Sequence, residues 1–209
     1  MKIAILGAGL MGAALGRSWA AAGHHITFAY SRSAAKLDRL ARETNGAAGS
    51  VREALRDADA VLLSVHWSRI EDVLDQAGPL ADQIILNCCV PLNLSNDRLL
   101  FGPTTSGAEH LATLRPLARW VSCFNTIPSE SFAPVRHQRP EPRPQVLMYG
   151  DDPGAKMVAA GLINDAGFDP LEAGDLRTGR YVEPFAMVTA VLAYGQPGGP
   201  ALTYRFTKL

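Results

Sequence analysis

Short, almost wholly apolar runs alternate along this chain with longer segments whose apolar residues return every three or four positions. Lys2 to Leu6, His25 to Tyr30, Ala60 to Val65, Ile84 to Cys88, Trp120 to Phe124 and Val146 to Tyr149 read as strands, with Ala47-Ala48 and Phe168 to Leu171 as shorter ones. Several of these runs lack the polar–apolar alternation of a half-exposed strand, which is what strands covered on both faces show. The intervening segments read as helices: Ala13 to Ala22 stopped by Gly23, Ser33 to Glu43, Ser50 to Arg56, Trp67 to Ala77, Gly107 to Leu114, a helix opened by Asp152-Pro153, and Leu176 to Tyr194. Ser50 with Glu53 forms a capping-box pattern, and Asp152 before Pro153 is an N-cap followed by proline in the first turn. Residues 90–105 read as a loop at the edge of a site, and Pro134 to Pro144, with Arg136, Arg139 and Arg143, as an exposed loop. The alternation predicts an α/β fold, a doubly wound parallel sheet over residues 1–173, followed by a small helical extension over 174–209.

The first strand opens directly into Gly7-Ala8-Gly9-Leu10-Met11-Gly12, a G-x-G-x-x-G between a strand and a helix. Gly7 suits the tight turn, Gly9 lets the backbone approach a pyrophosphate, and Gly12 lets the helix pack closely on the strand. The free N–H groups of the helix N-terminus then face the phosphates. Where an NAD-binding fold ends its second strand with an acid for the ribose hydroxyls, this chain has Tyr30-Ser31-Arg32-Ser33, with Lys36 a turn later. Arg32 can take a 2′-phosphate through its planar fork, and Ser31 can donate to it. The pattern favours NADP over NAD.

Composition narrows the partners. Twenty basic and twenty acidic residues cancel, which argues against nucleic acid or an anionic membrane surface as the main partner. No apolar run reaches membrane-span length, and the N-terminus reads as a core strand instead of a signal peptide. Three cysteines give no disulfide framework, so the expected compartment is reducing and cytoplasmic. Cys88 and Cys89, adjacent at a strand end, are expected to point to opposite faces as small buried side chains, as is Cys123. No Cys/His spacing resembles a metal site.

Several segments together carry a family resemblance: Gly7 to Gly12, Ser31-Arg32 with Lys36, Ser64-Val65-His66-Trp67, Phe124-Asn125-Thr126-Ile127-Pro128, Gly150-Asp151-Asp152 and a glycine-rich tail. The chain resembles the NADP oxidoreductases that use the deazaflavin coenzyme F420. The resemblance runs along the whole chain and extends to the reductase domain of six-transmembrane metalloreductases, which use a flavin. It implies a Rossmann-type fold with NADP held by Gly7, Ala8, Gly9, Leu10, Met11, Gly12, Ser31, Arg32, Lys36, Ser64, Val65, His66, Trp67 and Val90. It implies a small-molecule acceptor, coenzyme F420 or a flavin, lined by His66, Asn125, Thr126, Ile127, Pro128 and tail glycines including Gly198 and Gly199. A homodimer is one assembly it allows. Cys88-Cys89-Val90-Pro91 departs from the Asp-x-Thr-Asn-Pro of many relatives, and Asn87 stands where an acid is common.

The resemblance further implies hydride transfer by proximity and orientation alone, which agrees with the lack of a nucleophile–base or carboxylate-pair constellation. His66 reads either as a wall of the nicotinamide pocket or as a general acid. Asn125 reads either as a ligand-fixing amide or as a turn former before Pro128. Three functions remain: hydride transfer between NADPH and a deazaflavin, NADPH-dependent reduction of a flavin or other small acceptor, and an NADP-binding sensor without turnover. A sensor has no need of a second pocket beside the nicotinamide.

Overall fold

The structure is a computed structural model and describes residues 1–209. Its strands are β1 (Lys2–Leu6), β2 (His25–Ala29), β3 (Ala47–Ala48), β4 (Ala60–Leu63), β5 (Ile84–Asn87), β6 (Arg119–Cys123), β7 (Gln145–Gly150) and β8 (Asp169–Glu172). The helices are α1 (Leu10–Ala21), α2 (Ala34–Glu43), α3 (Val51–Leu55), α4 (Ile70–Ala77), α5 (Gly107–Leu114), α6 (Phe132–Gln138), α7 (Pro153–Asp165) and α8 (Gly179–Tyr194). All eight strands join one sheet in the order β3-β2-β1-β4-β5-β6-β7-β8. β1 pairs in parallel with β2 on one side and β4 on the other, so the strand order reverses there. In open α/β sheets a crevice opens at such a point, outside the carboxyl ends of the strands.

The expected α/β doubly wound sheet is present, with one reversal that the strand pattern does not reveal. β7 runs antiparallel to β6, placing Cys123 opposite Met148 and Val121 opposite Gly150. β8 is then parallel to β7. The segment between β6 and β7 makes no crossover back along the sheet, so β7 starts at the end where β6 stops. The stretch expected to be a loop from Pro134 is also different. α6 runs through it to Gln138 and ends at Arg139, whose φ is 46°. Pro134 lies in the first turn of α6, where its missing N–H costs no intrahelical bond. The helices expected from Trp67 and Leu176 each begin with a 3₁₀ turn, Trp67–Arg69 and Leu176–Thr178, before α4 and α8.

The strands divide two cores by simple alternation. Ile3 and Ile5 face one side with Leu15, Trp19, Phe28, Phe124, Phe132 and Phe168. Ala4 and Leu6 face the other with Val61, Leu63, Leu74, Leu111, Trp120 and Tyr149. Trp19 is fully buried, and its indole N–H donates to the Leu162 carbonyl at 2.8 Å, tying α1 to α7. The predicted caps form: Ser50 and Glu53 bond reciprocally, and Asp152 accepts from the Ala155 N–H at 2.6 Å. No helix is long and apolar enough to cross a membrane.

α1 approaches the sheet backbone to backbone. A Cβ on Gly12 would lie 2.0 Å from the Gly7 carbonyl oxygen, and one on Gly16 2.5 Å from the Phe28 ring. At Gly9 the nearest atom to such a Cβ is 3.9 Å away. Gly12→Ala is therefore expected to destabilise the fold by about 1–3 kcal/mol, the usual cost of overpacking. Gly9→Val is expected to leave the denaturation midpoint nearly unchanged and to abolish NADPH binding. Urea unfolding and calorimetric titration separate the two outcomes, and a Gly9→Val protein that binds NADPH normally would contradict the placement.

Candidate active site

Two contiguous cavities occupy the crevice at the carboxyl ends of β1, β2, β4, β5 and β6. One, of about 1050 Å³, runs over Gly7, Ala8 and Gly9 to Ser31, Arg32 and Lys36. The other, of about 570 Å³, lies over Leu10, Met11, Trp67 and Val90 and extends to Asn125, Thr126, Ile127 and Pro128. Gly9, Ser64, Val65, His66 and Asn96 line both. Gly12 lines neither and serves the packing of α1.

The first cavity has the chemistry of an anion site. α1 begins without a side-chain cap and without an acid in its first turn, so its N-terminal N–H groups open onto the cavity. Gly7 has a φ of 116°, and a Cβ there would sit 2.3 Å from the Ser64 carbonyl oxygen. Ser64 fixes the turn from across the crevice, its hydroxyl donating to the Gly7 carbonyl at 2.9 Å. Tyr30, at the end of β2, adopts a φ of 60°, a left-handed conformation that costs a non-glycine residue roughly 1–2 kcal/mol. Its hydroxyl donates to Asp72 of α4, which fixes the turn presenting Ser31 and Arg32. Burial first, and the Asp72 carboxylate second, push the Tyr30 phenol up to about 12. The same hydrogen bond, with one from Gln76, holds Asp72 below the ordinary carboxylate range. This acid is thus engaged by the protein. Arg69 joins Arg32 and Lys36 in the lining, and none of these three cations forms a salt bridge. The residues present fit a phosphorylated dinucleotide. Sequence reasoning missed Arg69, which reaches the site from the 3₁₀ turn before α4.

The second cavity is less charged and more apolar. Phe124, buried among Trp19, Phe132 and Phe168, has a φ of 64°, and the chain turns there into Asn125. Asn125 is 8% exposed; its Nδ2 donates to the Tyr149 hydroxyl at 2.8 Å, and its Oδ1 is buried without a partner. An unpaired buried acceptor carries a desolvation cost that a ligand N–H would remove.

His66 has both ring nitrogens engaged. Nδ1 accepts the Ser68 N–H at 3.2 Å, which leaves Nε2 as the protonated nitrogen, donating to Asn96 Oδ1 at 3.0 Å. Asn96 belongs to a loop closed on itself. The Asn93 side chain accepts the N–H groups of Asp97 and Arg98, and Leu92 pairs with Leu99. Trp67 packs edge-on against Phe101, with His110 beside both.

Gly198 and Gly199 lie outside both linings, exposed and with open space around them. The far wall is instead α8, through Ala186, Met187, Thr189, Ala190 and Tyr194. The tail acts from behind: the Tyr204 and Thr126 hydroxyls meet at 2.6 Å, and the Ser131 hydroxyl donates to the Leu202 carbonyl at 2.8 Å.

α8 is held by a carboxylate that the sequence does not advertise. Glu183, 3% exposed, accepts from the N–H groups of Gly107 and Ala108 at 2.9 and 3.0 Å, capping α5 from another helix. Burial pushes its pKa up to about 7 against the lowering effect of those two bonds. Arg180 and Glu109 pair beside it at 2.6 Å.

Residues 2–91 match the family model described as NADP oxidoreductase, coenzyme F420-dependent. This is the family that the sequence motifs resemble. Metalloreductase STEAP3 of Rattus norvegicus is 28% identical over 185 residues, which is 87% of this chain and 36% of that protein. The chain therefore spans about a third of that relative's length. A solved structure of an inferred F420-dependent NADP-reductase from Arthrobacter sp. FB24 superposes with a TM-score of 0.87, at 24% identity, over 100% of both chains. The hypothetical protein SMa0349 of Sinorhizobium meliloti has a TM-score of 0.76 at 26% identity, covering 99% of this chain and 96% of its own. A reductive aminase from Aspergillus terreus in complex with NADPH4 shares the fold, with a TM-score of 0.65 at 20% identity over 91% of this chain and 60% of that one. The likeness is to NADP-dependent oxidoreductases.

Glu183 gives the fold a signed pH dependence. A carboxyl whose folded pKa lies above its unfolded value binds protons more tightly in the native state. It contributes stability below about pH 4.5, and that contribution is lost as pH rises to about 7. The loss should reach about 3 kcal/mol across the window. Glu183→Gln is expected to remove this slope, read as the difference in unfolding free energy between the two proteins from pH 4 to 8. Parallel pH profiles would contradict it.

Proposed function

We propose that this protein, related to the NADP oxidoreductases of the coenzyme F420-dependent family, passes a hydride directly between NADPH and a planar deazaflavin-type acceptor. The observation that carries this reading is the second cavity. An NADP sensor needs only the nucleotide compartment, whereas this cleft continues into a room of about 570 Å³ lined in part by Asn125, whose amide oxygen is buried and unpaired.

NADPH, when bound, supplies the hydride; the chain supplies position. Gly7, Gly9 and the N-terminus of α1 receive the pyrophosphate, and Ser31, Arg32, Lys36 and Arg69 the 2′-phosphate. Leu10, Met11 and Val65 shape the junction where the two ligands meet. Asn125 Oδ1 accepts from a ring or carboxamide N–H, fixing one in-plane direction. Ala186, Thr189 and Ala190 present small side chains along α8, a wall low enough for a flat ring to lie against. Because both nitrogens of His66 are spent on Ser68 and Asn96, it serves as a strut for the wall and moves no proton. Catalysis of this kind rests on orientation and water exclusion.

NADPH is expected to bind at least about tenfold more tightly than NADH, because charge-assisted bonds to a phosphate contribute about 1.5–3 kcal/mol each. Arg32→Ala should remove most of that preference and leave NADH binding nearly unchanged, as read by calorimetry. Equal affinity of the parent protein for both cofactors would refute the assignment.

Absorbance assays of NADPH oxidation with a deazaflavin, FMN, FAD and riboflavin test the acceptor, with the deazaflavin expected to turn over fastest. His66→Ala should lower that turnover by less than the factor of about a hundred that loss of a general acid brings. A larger loss with intact binding of both ligands would overturn the direct-transfer reading. Binding of NADPH without reduction of any acceptor would favour the sensor.

A further inference from the structure

The two adjacent cysteines are buried in opposite cores, as the strand alternation predicts, yet their sulfurs share one hydrogen-bond acceptor. β5 ends at Asn87, and the Asn87 side chain turns back to accept the Cys89 N–H at 3.0 Å while donating to the Ser122 hydroxyl at 3.0 Å. The chain leaves the strand at that bond, and the two sulfurs come within reach of one carbonyl. Cys88 Sγ and Cys89 Sγ both lie 3.3 Å from one acceptor, the Leu63 carbonyl oxygen. Both are reduced, and both line the second cavity beside Val90.

We propose that Cys88 and Cys89 form a chelating dithiol on the inner wall of the second cavity, whose ligand is a trivalent arsenical. Two sulfurs converging on one point offer the bite of a bidentate soft donor. Thiols select soft, thiophilic centres over the hard cations that carboxylates hold. No group of three or more His, Cys, Asp or Glu side chains gathers anywhere in the molecule, so nothing here completes a four-ligand zinc site. A trivalent arsenic centre needs only two protein sulfurs, and its third substituent can project into the cavity. With an aryl arsenoxide, two As–S bonds form, and the arsenic-bound oxygen leaves as water with the two thiol protons. No oxidation state changes and no co-reactant is required.

The protonation of the pair sharpens the selectivity. The neighbouring Cys89 thiol, followed by burial, pushes the Cys88 pKa well above that of a free thiol. Reagents that need a thiolate, such as iodoacetamide, therefore meet an unreactive pair. An arsenoxide consumes the protons itself. Cys123, fully buried and absent from the cavity lining, is the internal control.

The test is intact-mass spectrometry of the native protein with phenylarsine oxide at neutral pH. One phenylarsenic unit should add per chain with loss of one water, and it should map to the peptide holding Cys88 and Cys89. 2,3-Dimercaptopropanol should reverse the adduct where a monothiol does not, and iodoacetamide should leave the native protein unlabelled. Cys88→Ser and Cys89→Ser should each abolish the adduct, and Cys123→Ser should retain it; Cys88→Ala and Cys89→Ala stand in should a serine variant fail to fold. Three results would overturn the proposal: labelling only after unfolding in urea, an adduct that survives loss of either cysteine, or a native adduct on Cys123.

Discussion

The cleft depends on a contact between two pieces of backbone. The first turn of α1 and the end of β4 meet with no side chain between them: Gly7 against the Ser64 carbonyl, Gly12 against the Gly7 carbonyl. Interiors pack at crystal-like density, so a methyl group at either place would push α1 outward and carry its N-terminus away from the crevice. The Ser64 hydroxyl holds the same spot from across the crevice. The N–H groups at the α1 N-terminus, the position of Leu10 and Met11 in the lining of the second cavity, and the start of that cavity all inherit their places from that approach.

From this shared floor the two halves of the cleft diverge in character. The nucleotide half is polar and cationic. Its one nearby acid, Asp72, is held as a carboxylate by hydrogen bonds from Tyr30 and Gln76, and three positive side chains form no salt bridge. The far half is mostly apolar, and its specificity rests on few polar atoms. There an unpaired amide oxygen matters more than a charge would, because removal from water raises the value of each hydrogen bond. α8, the wall of this half, is fastened at its base by Glu183 and Arg180 to α5, leaving its later turns to face the cavity.

Much of this was legible in the sequence, and what was not has a physical reason. The glycine loop, the caps at Ser50 and Asp152, the parallel strands and the basic turn after β2 are local patterns, and local patterns survive in one dimension. The reversal at β7 was hidden because an antiparallel strand buried on both faces is as apolar as a parallel one. α6 was obscured by prolines and arginines that read as loop, although Pro134 falls where a helix tolerates it. Arg69 and Asn96 reach the site from segments with no motif, through tertiary placement alone. Glu183 sits in an otherwise apolar helix, and its partners are backbone N–H groups more than seventy residues away, which no side-chain pattern can announce. The tail glycines suggested room for a ring, but the tail serves through Tyr204 and Leu202, bracing the Thr126 segment from behind. Asn87 turned two cysteines expected on opposite faces toward one carbonyl.

The loop holding Asn96 is a partition with a room on either side. It is braced by its own hydrogen bonds, joined to His66 through Asn96 and packed on Trp67 through Phe101. Whatever settles in the nucleotide room leans on the same partition that bounds the other room, and the reverse holds equally. Free energies of occupancy in two such rooms are linked, and linkage is symmetric: any tightening that one guest confers on the other is returned by the same factor. A cleft built this way can couple its two guests through a shared wall, without a moving domain to carry the message.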